Sequence, residues 1–68
     1  MTPAQLDTAI LDTMQQQPRG VLIGDVLRTL EIAGVRIRSD TRRQVQDRLR
    51  VLADAGAIRA TPKGWMKA

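Results

Sequence analysis

Apolar residues recur every three or four positions through most of this chain, and that period is lost after Gly56. Leu6, Ile10 and Met14 stand four apart, with Ala9 beside them. Such spacing puts one apolar stripe on a helix and predicts a first helix over about 3–17. Thr2-Pro3-Ala4-Gln5 is a good start for it. Thr2 can cap, Pro3 suits the first turn, and Gln5 can reach back to the cap. Pro18 and Gly20 then break the helix. Leu11 falls off the stripe, which leaves it either exposed or part of a self-association surface. Val21-Leu22-Ile23 is too short for a helix of its own and reads as a single strand or an extended connector. Val26, Leu27 and Leu30 mark the buried face of a second helix over about 24–33, beginning at Gly24 or Asp25, and Gly34 is a natural left-handed stop.

In Val35-Arg36-Ile37-Arg38 two β-branched residues alternate with two arginines, so Val35 and Ile37 are expected to point inward. Ser39 or Asp40 can cap a third helix over about 40–55. Val45, Leu49 and Leu52 form its core stripe; Ser39, Arg43, Gln46, Asp47, Arg50 and Asp54 fall on the opposite side. Beyond Gly56 the pattern is extended. Ala57 to Thr61 reads as a strand, Pro62-Lys63-Gly64 as a turn, and Trp65-Met66-Lys67 as the return strand, a hairpin over about 57–67. Its register is open: a three-residue loop puts Met66 on the face of Ile58 and Ala60, and a four-residue loop puts Trp65 there.

Charge adds a second asymmetry. Residues 1–34 hold two arginines against four acids, and residues 35–68 hold nine basic residues against three acids. The first half is therefore net −2 and the second +6, for a formal +4 and a pI near 11.2. A positive helix-plus-hairpin half is the electrostatic footprint of a surface that meets a polyanion.

Sixty-eight residues make one domain, 1–68. A core of that size usually supplies ~3–5 kcal/mol of net stability. A homodimer would add to that. With no cysteine there is no disulfide and no thiolate metal site. No apolar run approaches the ~18 residues of a membrane span, and the N-terminus lacks a signal-peptide pattern, so the expected location is cytoplasmic.

The order helix, short strand, helix, turn, helix, hairpin accompanies Leu49-x-x-Leu52-x-x-x-Gly56-x-Ile58. Together they resemble the winged helix-turn-helix domains of bacterial and phage transcription regulators. The resemblance spans essentially the whole chain and implies a mainly α fold with a small β-hairpin. One departure is the connection of six residues, Gly34 to Ser39, where a simple helix-turn-helix has 3–4. In that family the helix after the turn enters the major groove, and the wing lies along the backbone or minor groove. The resemblance thus implies double-stranded DNA as partner and no cofactor. Ser39, Thr41, Arg42, Arg43 and Gln46 fall early on helix 3, where base-edge contacts are usual. Arg36, Arg38 and Arg50 are placed for phosphates, and Lys63 for the backbone or minor groove.

Rival readings accompany each of these. Arg43–Asp47, Asp47–Arg50 and Arg50–Asp54 are spaced to pair along helix 3, which would neutralise part of its charge. Trp65, the sole aromatic, is expected to pack on Leu49, Leu52 or helix 1; the alternative is a partner contact or base stacking. With no His, Cys or Tyr, one serine and scattered acids, catalysis has no constellation to stand on, and the chain reads as a non-enzyme. The rival function is a winged-helix protein-interaction module, such as a phage protein that masks a host nucleic-acid-binding partner.

Overall fold

A computed structural model describes residues 2–68. The first helix, α1 (Pro3–Gln16), opens on the capping box its sequence predicts. The Gln5 amide donates to the Thr2 hydroxyl at 3.3 Å, and the Thr2 amide donates to the Gln5 side chain at 2.9 Å. The Gln5 amide also reaches the Thr2 carbonyl at 3.1 Å, so cap and first turn are tied from both directions. α2 (Ile23–Ile32) starts a residue earlier than expected. Leu22, its N-cap, has no side-chain acceptor, but the Asp25 carboxylate reaches back to the Leu22 amide at 2.9 Å. An acid in the first turn also suits the positive end of the helix dipole.

α3 (Thr41–Asp54) lies within the expected 40–55, with Asp40 and Ala55 as its flanking caps. Neither Ser39 nor Asp40 caps it through a side chain, which corrects that expectation. Thr41 closes the entrance instead. Its hydroxyl accepts from the Arg38 amide at 2.9 Å, and its own amide donates to the Arg38 carbonyl at 3.2 Å. Asp40 is spent on the Gln44 side chain at 3.3 Å. Both α2 and α3 finish in a Schellman turn at the glycines the sequence marks: the Val35 amide donates to the Leu30 carbonyl and the Ala57 amide to the Leu52 carbonyl, each at 3.0 Å.

β1 (Ile58–Thr61) and β2 (Gly64–Lys67) pair antiparallel, with Ala60 opposite Trp65 and Thr61 opposite Gly64. The loop is thus two residues, Pro62-Lys63, shorter than either expected loop. Two has the parity of four, so Trp65 joins the face of Ile58 and Ala60. Both loop residues have negative φ, and the positive φ falls on Gly64 at +121°. Val21 adds one rung to this ribbon: its amide and carbonyl bond those of Trp65, both at 2.8 Å. That bridge resolves the Val21–Ile23 segment into a one-residue strand, a cap and the first helical residue.

Space is tight at this junction. A Cβ on Gly64 would lie 2.7 Å from the Val21 carbonyl oxygen, and one on Gly20 would fall on the Lys63 carbonyl. Only glycine lets the two backbones approach so closely.

The core gathers Leu6, Ala9, Ile10 and Met14 of α1, Val26 and Leu30 of α2, Val45 and Leu49 of α3, with Val21 and Ile58. Leu27, Leu52 and Trp65 are half-buried against it. Leu11 also packs on it and is half-buried rather than exposed. Val35 turns inward as predicted, but Ile37 stays exposed, because the chain has already turned toward α3. Where α1 meets α2, the Thr13 and Thr29 hydroxyls lie 2.7 Å apart. Each has one proton, so the pair is satisfied by passing it on to the Ala9 or the Asp25 carbonyl, at 2.7 and 3.2 Å. The result is mainly α with a small antiparallel hairpin, a layout compatible with a winged helix. Among the described residues no helix is long and apolar enough to cross a membrane.

Candidate nucleic-acid interface

α3 buries one side and wets the other. Thr41, Val45 and Leu49, four residues apart, face the core, while Arg42, Arg43, Gln46, Asp47, Arg50 and Asp54 are exposed. The turn before it exposes Arg36, Arg38 and Ser39, and Lys63 is exposed at the hairpin tip. Of the nine residues singled out in the sequence, Thr41 is the one the fold turns inward, at 6% exposure. Its hydroxyl is engaged in the entrance turn, where it positions Arg38 and the start of α3.

The connection from Ile32 to Thr41 runs through eight residues, Ala33 to Asp40, longer than the six expected. The Schellman turn takes up its first part and the Arg38–Thr41 turn its last, which leaves Arg36 and Arg38 on a short exposed arch.

α3 and the hairpin border a common groove. Arg42, Gln46 and Arg50, four apart on α3, line it together with Gly64 and Trp65. Leu22 and Ile23 at the start of α2 contribute to its far side. Carboxylates line it too: Asp25, already bonded to the Leu22 amide, and Asp47 and Asp54 farther along α3. Positive charge is therefore concentrated at the N-terminal turns of α3 and thins toward its C-terminal end.

The ion pairs expected along α3 are not formed. Among the described residues the one pair within 4.0 Å joins Arg48 to Asp7 of α1. It is bidentate, with Nε to Oδ1 and Nη2 to Oδ2 both at 2.8 Å. Hydrogen bonding to Asp7 raises the Arg48 guanidinium above its ordinary range; burial opposes this and the carboxylate charge adds to it. One of the four arginines of α3 is thus a tie to α1. Arg42, Arg43 and Arg50 keep their charge unpaired on the wet side. The sequence carries no local signal for the Arg48 tie, because its partner lies 41 positions away.

Chemically the surface offers guanidinium forks, an amide and an ammonium to an acidic partner. Arginine can read guanine bidentately and glutamine can read adenine, provided the backbone brings them to base edges. Among the described residues no group of three or more His, Cys, Asp or Glu side chains gathers to hold a metal. Comparison with protein-family models, curated proteins and solved structures gives no match to this chain.

Proposed function

We propose that the chain is a sequence-specific double-stranded DNA-binding protein, a small transcription regulator of the winged-helix kind. The observation that carries the reading is the row Arg42, Gln46, Arg50, which shares a groove with the hairpin while Arg43 faces outward beside it. α3 is the reading element, its N-terminal residues Arg42, Arg43 and Gln46 meeting base edges in the major groove. Arg36, Arg38, Arg50 and Lys63 meet phosphates and fix the register. Asp47 and Asp54 repel the backbone, which favours docking by the N-terminal turns of α3 over lying full length along the groove. The mechanism is occupancy: neutralise phosphates, read a short site, and block or recruit polymerase.

Titration with duplex DNA over a range of salt tests this. If about five basic side chains meet phosphates, log affinity falls with log salt at a slope of about −4 to −5 per protomer. A slope near zero removes the reading. It would favour the protein-interaction rival, for which the supporting observation is apolar exposure at Ile32, 80%, and Leu22, 62%.

A further inference from the structure

The hairpin tip is not made of the hairpin alone. The connector between α1 and α2 runs beside it, held by the paired 2.8 Å bonds between Val21 and Trp65. Gly20 lies against the Lys63 carbonyl so closely that it has no room for a side chain. Arg19 directly precedes Gly20 and is exposed, as is Lys63. One α-carbon step beyond that contact puts the Arg19 and Lys63 α-carbons within about 10 Å of each other. Among the described residues neither is in an ion pair within 4.0 Å. No acid occurs in either segment, Gln17–Ile23 or Thr61–Lys67. The nearest acid after the connector, Asp25, is bonded to the Leu22 amide.

From this juxtaposition we infer that Arg19 and Lys63 form one two-cation phosphate clamp, assembled from segments more than forty residues apart in sequence. The inference rests on the DNA-binding reading and adds to it a contact residue from the acidic half of the chain. Two long, exposed cationic side chains on α-carbons this close can reach neighbouring phosphates of one strand, or one phosphate on each side of the minor groove, which is about 6 Å wide. The backbone bridge makes the tip stiff. The Lys63 amide also donates to the Thr61 hydroxyl at 3.3 Å, so the backbone carrying both cations is held before DNA arrives, and only the two side chains are ordered on binding.

The test is the salt dependence of binding to a short duplex of random sequence. It compares wild type, Arg19→Gln, Lys63→Gln and the double variant, with Arg28→Gln as a control. Arg28 is exposed on α2 and loses the same charge. Each tip substitution is expected to flatten the slope by about 0.9 and the double by about twice that, since each removes one released counterion. Arg28→Gln is expected to leave the slope unchanged. Far-UV circular dichroism of every variant matches wild type if the fold is kept. Should Arg19→Gln keep the wild-type slope while Lys63→Gln flattens it, the connector is only a spacer and the inference fails, with the DNA-binding reading intact. A flattening by Arg28→Gln equal to that by Arg19→Gln would reduce the effect to net charge and also overturn it. A wild-type slope near zero overturns the reading and the clamp together.

Discussion

The two flanks of α3 are written in the same alphabet and do different work. On the flank toward α1, Arg48 is 26% exposed and closes a bidentate pair with Asp7. On the outer flank Arg43 and Arg50 stand beside Asp47 and Asp54 at pairing distance in sequence, yet no pair within 4.0 Å forms there. Exposed i, i+4 pairs gain only ~0.3–0.5 kcal/mol, which the entropy of fixing two long side chains nearly cancels. Arg48 is half-sheltered and meets a carboxylate presented by a second rigid helix, so its fork is already oriented. The comparison teaches that an arginine's role follows from what the fold sets opposite it, not from its neighbours along the helix.

The deepest difference between the flanks lies in packing. Leu49, 2% exposed, sits where α3 meets the core. Leu49→Ala is expected to lower stability by ~2–5 kcal/mol, through lost burial and the cavity left behind. Urea denaturation measures it, and an unchanged midpoint would put Leu49 on the wet side. The junction between connector and hairpin comes next. In Gly64→Ala a Cβ at φ +121° meets the Val21 carbonyl, and the expected cost is roughly 1–3 kcal/mol. Amide exchange at Val21 and Trp65 should accelerate with it. Thr13→Val removes the hydroxyl pair between α1 and α2, and a loss of about 1–2 kcal/mol is expected. Thermal unfolding of this variant alongside Thr13→Ser separates the hydrogen bond from the packing.

The smallest effects sharpen the comparison most directly. Arg48→Ala is expected to lower the melting temperature and leave the salt slope of DNA binding as it was. Arg50→Ala is expected to do the reverse, holding the melting temperature and flattening the slope by about 0.9. Equal effects of both variants on both readouts would erase the distinction between the flanks.

Much of the architecture was legible because it is locally determined. The capping box at Thr2 and Gln5, the stripe through Leu6, Ile10 and Met14, and the stops at Gly34 and Gly56 depend on residues within one or two turns. Helix ends shifted by about a residue, as fraying termini do. Differences arose where a turn or the tertiary packing, and not the helical period, decides. Thr41 looks like an exposed helix-start residue until Arg38 folds back onto it. Ile37 alternates with arginines just as Val35 does, but only Val35 finds the core beneath it. Trp65 takes the face of Ile58 and Ala60, one of the two sides the sequence left open, because a loop of two residues has the parity of four. Arg48 and Arg19 carried no signal at all, because their surroundings come from α1 and from the hairpin tip, far away in sequence. The periodicity pointed correctly to Arg43, Gln46, Asp47, Arg50 and Asp54 as exposed positions of α3.

The most direct binding measurement compares Arg43→Ala with Lys63→Ala against a preferred site, chosen from a random DNA pool, and its single-base variants. If α3 reads bases and the hairpin holds the backbone, Arg43→Ala relaxes discrimination at one base pair by roughly 1–3 kcal/mol. Lys63→Ala weakens every sequence by about the same factor. Should Arg43→Ala lower all affinities equally, Arg43 is only a phosphate contact, and the assignment of base reading to the outward face of α3 is contradicted.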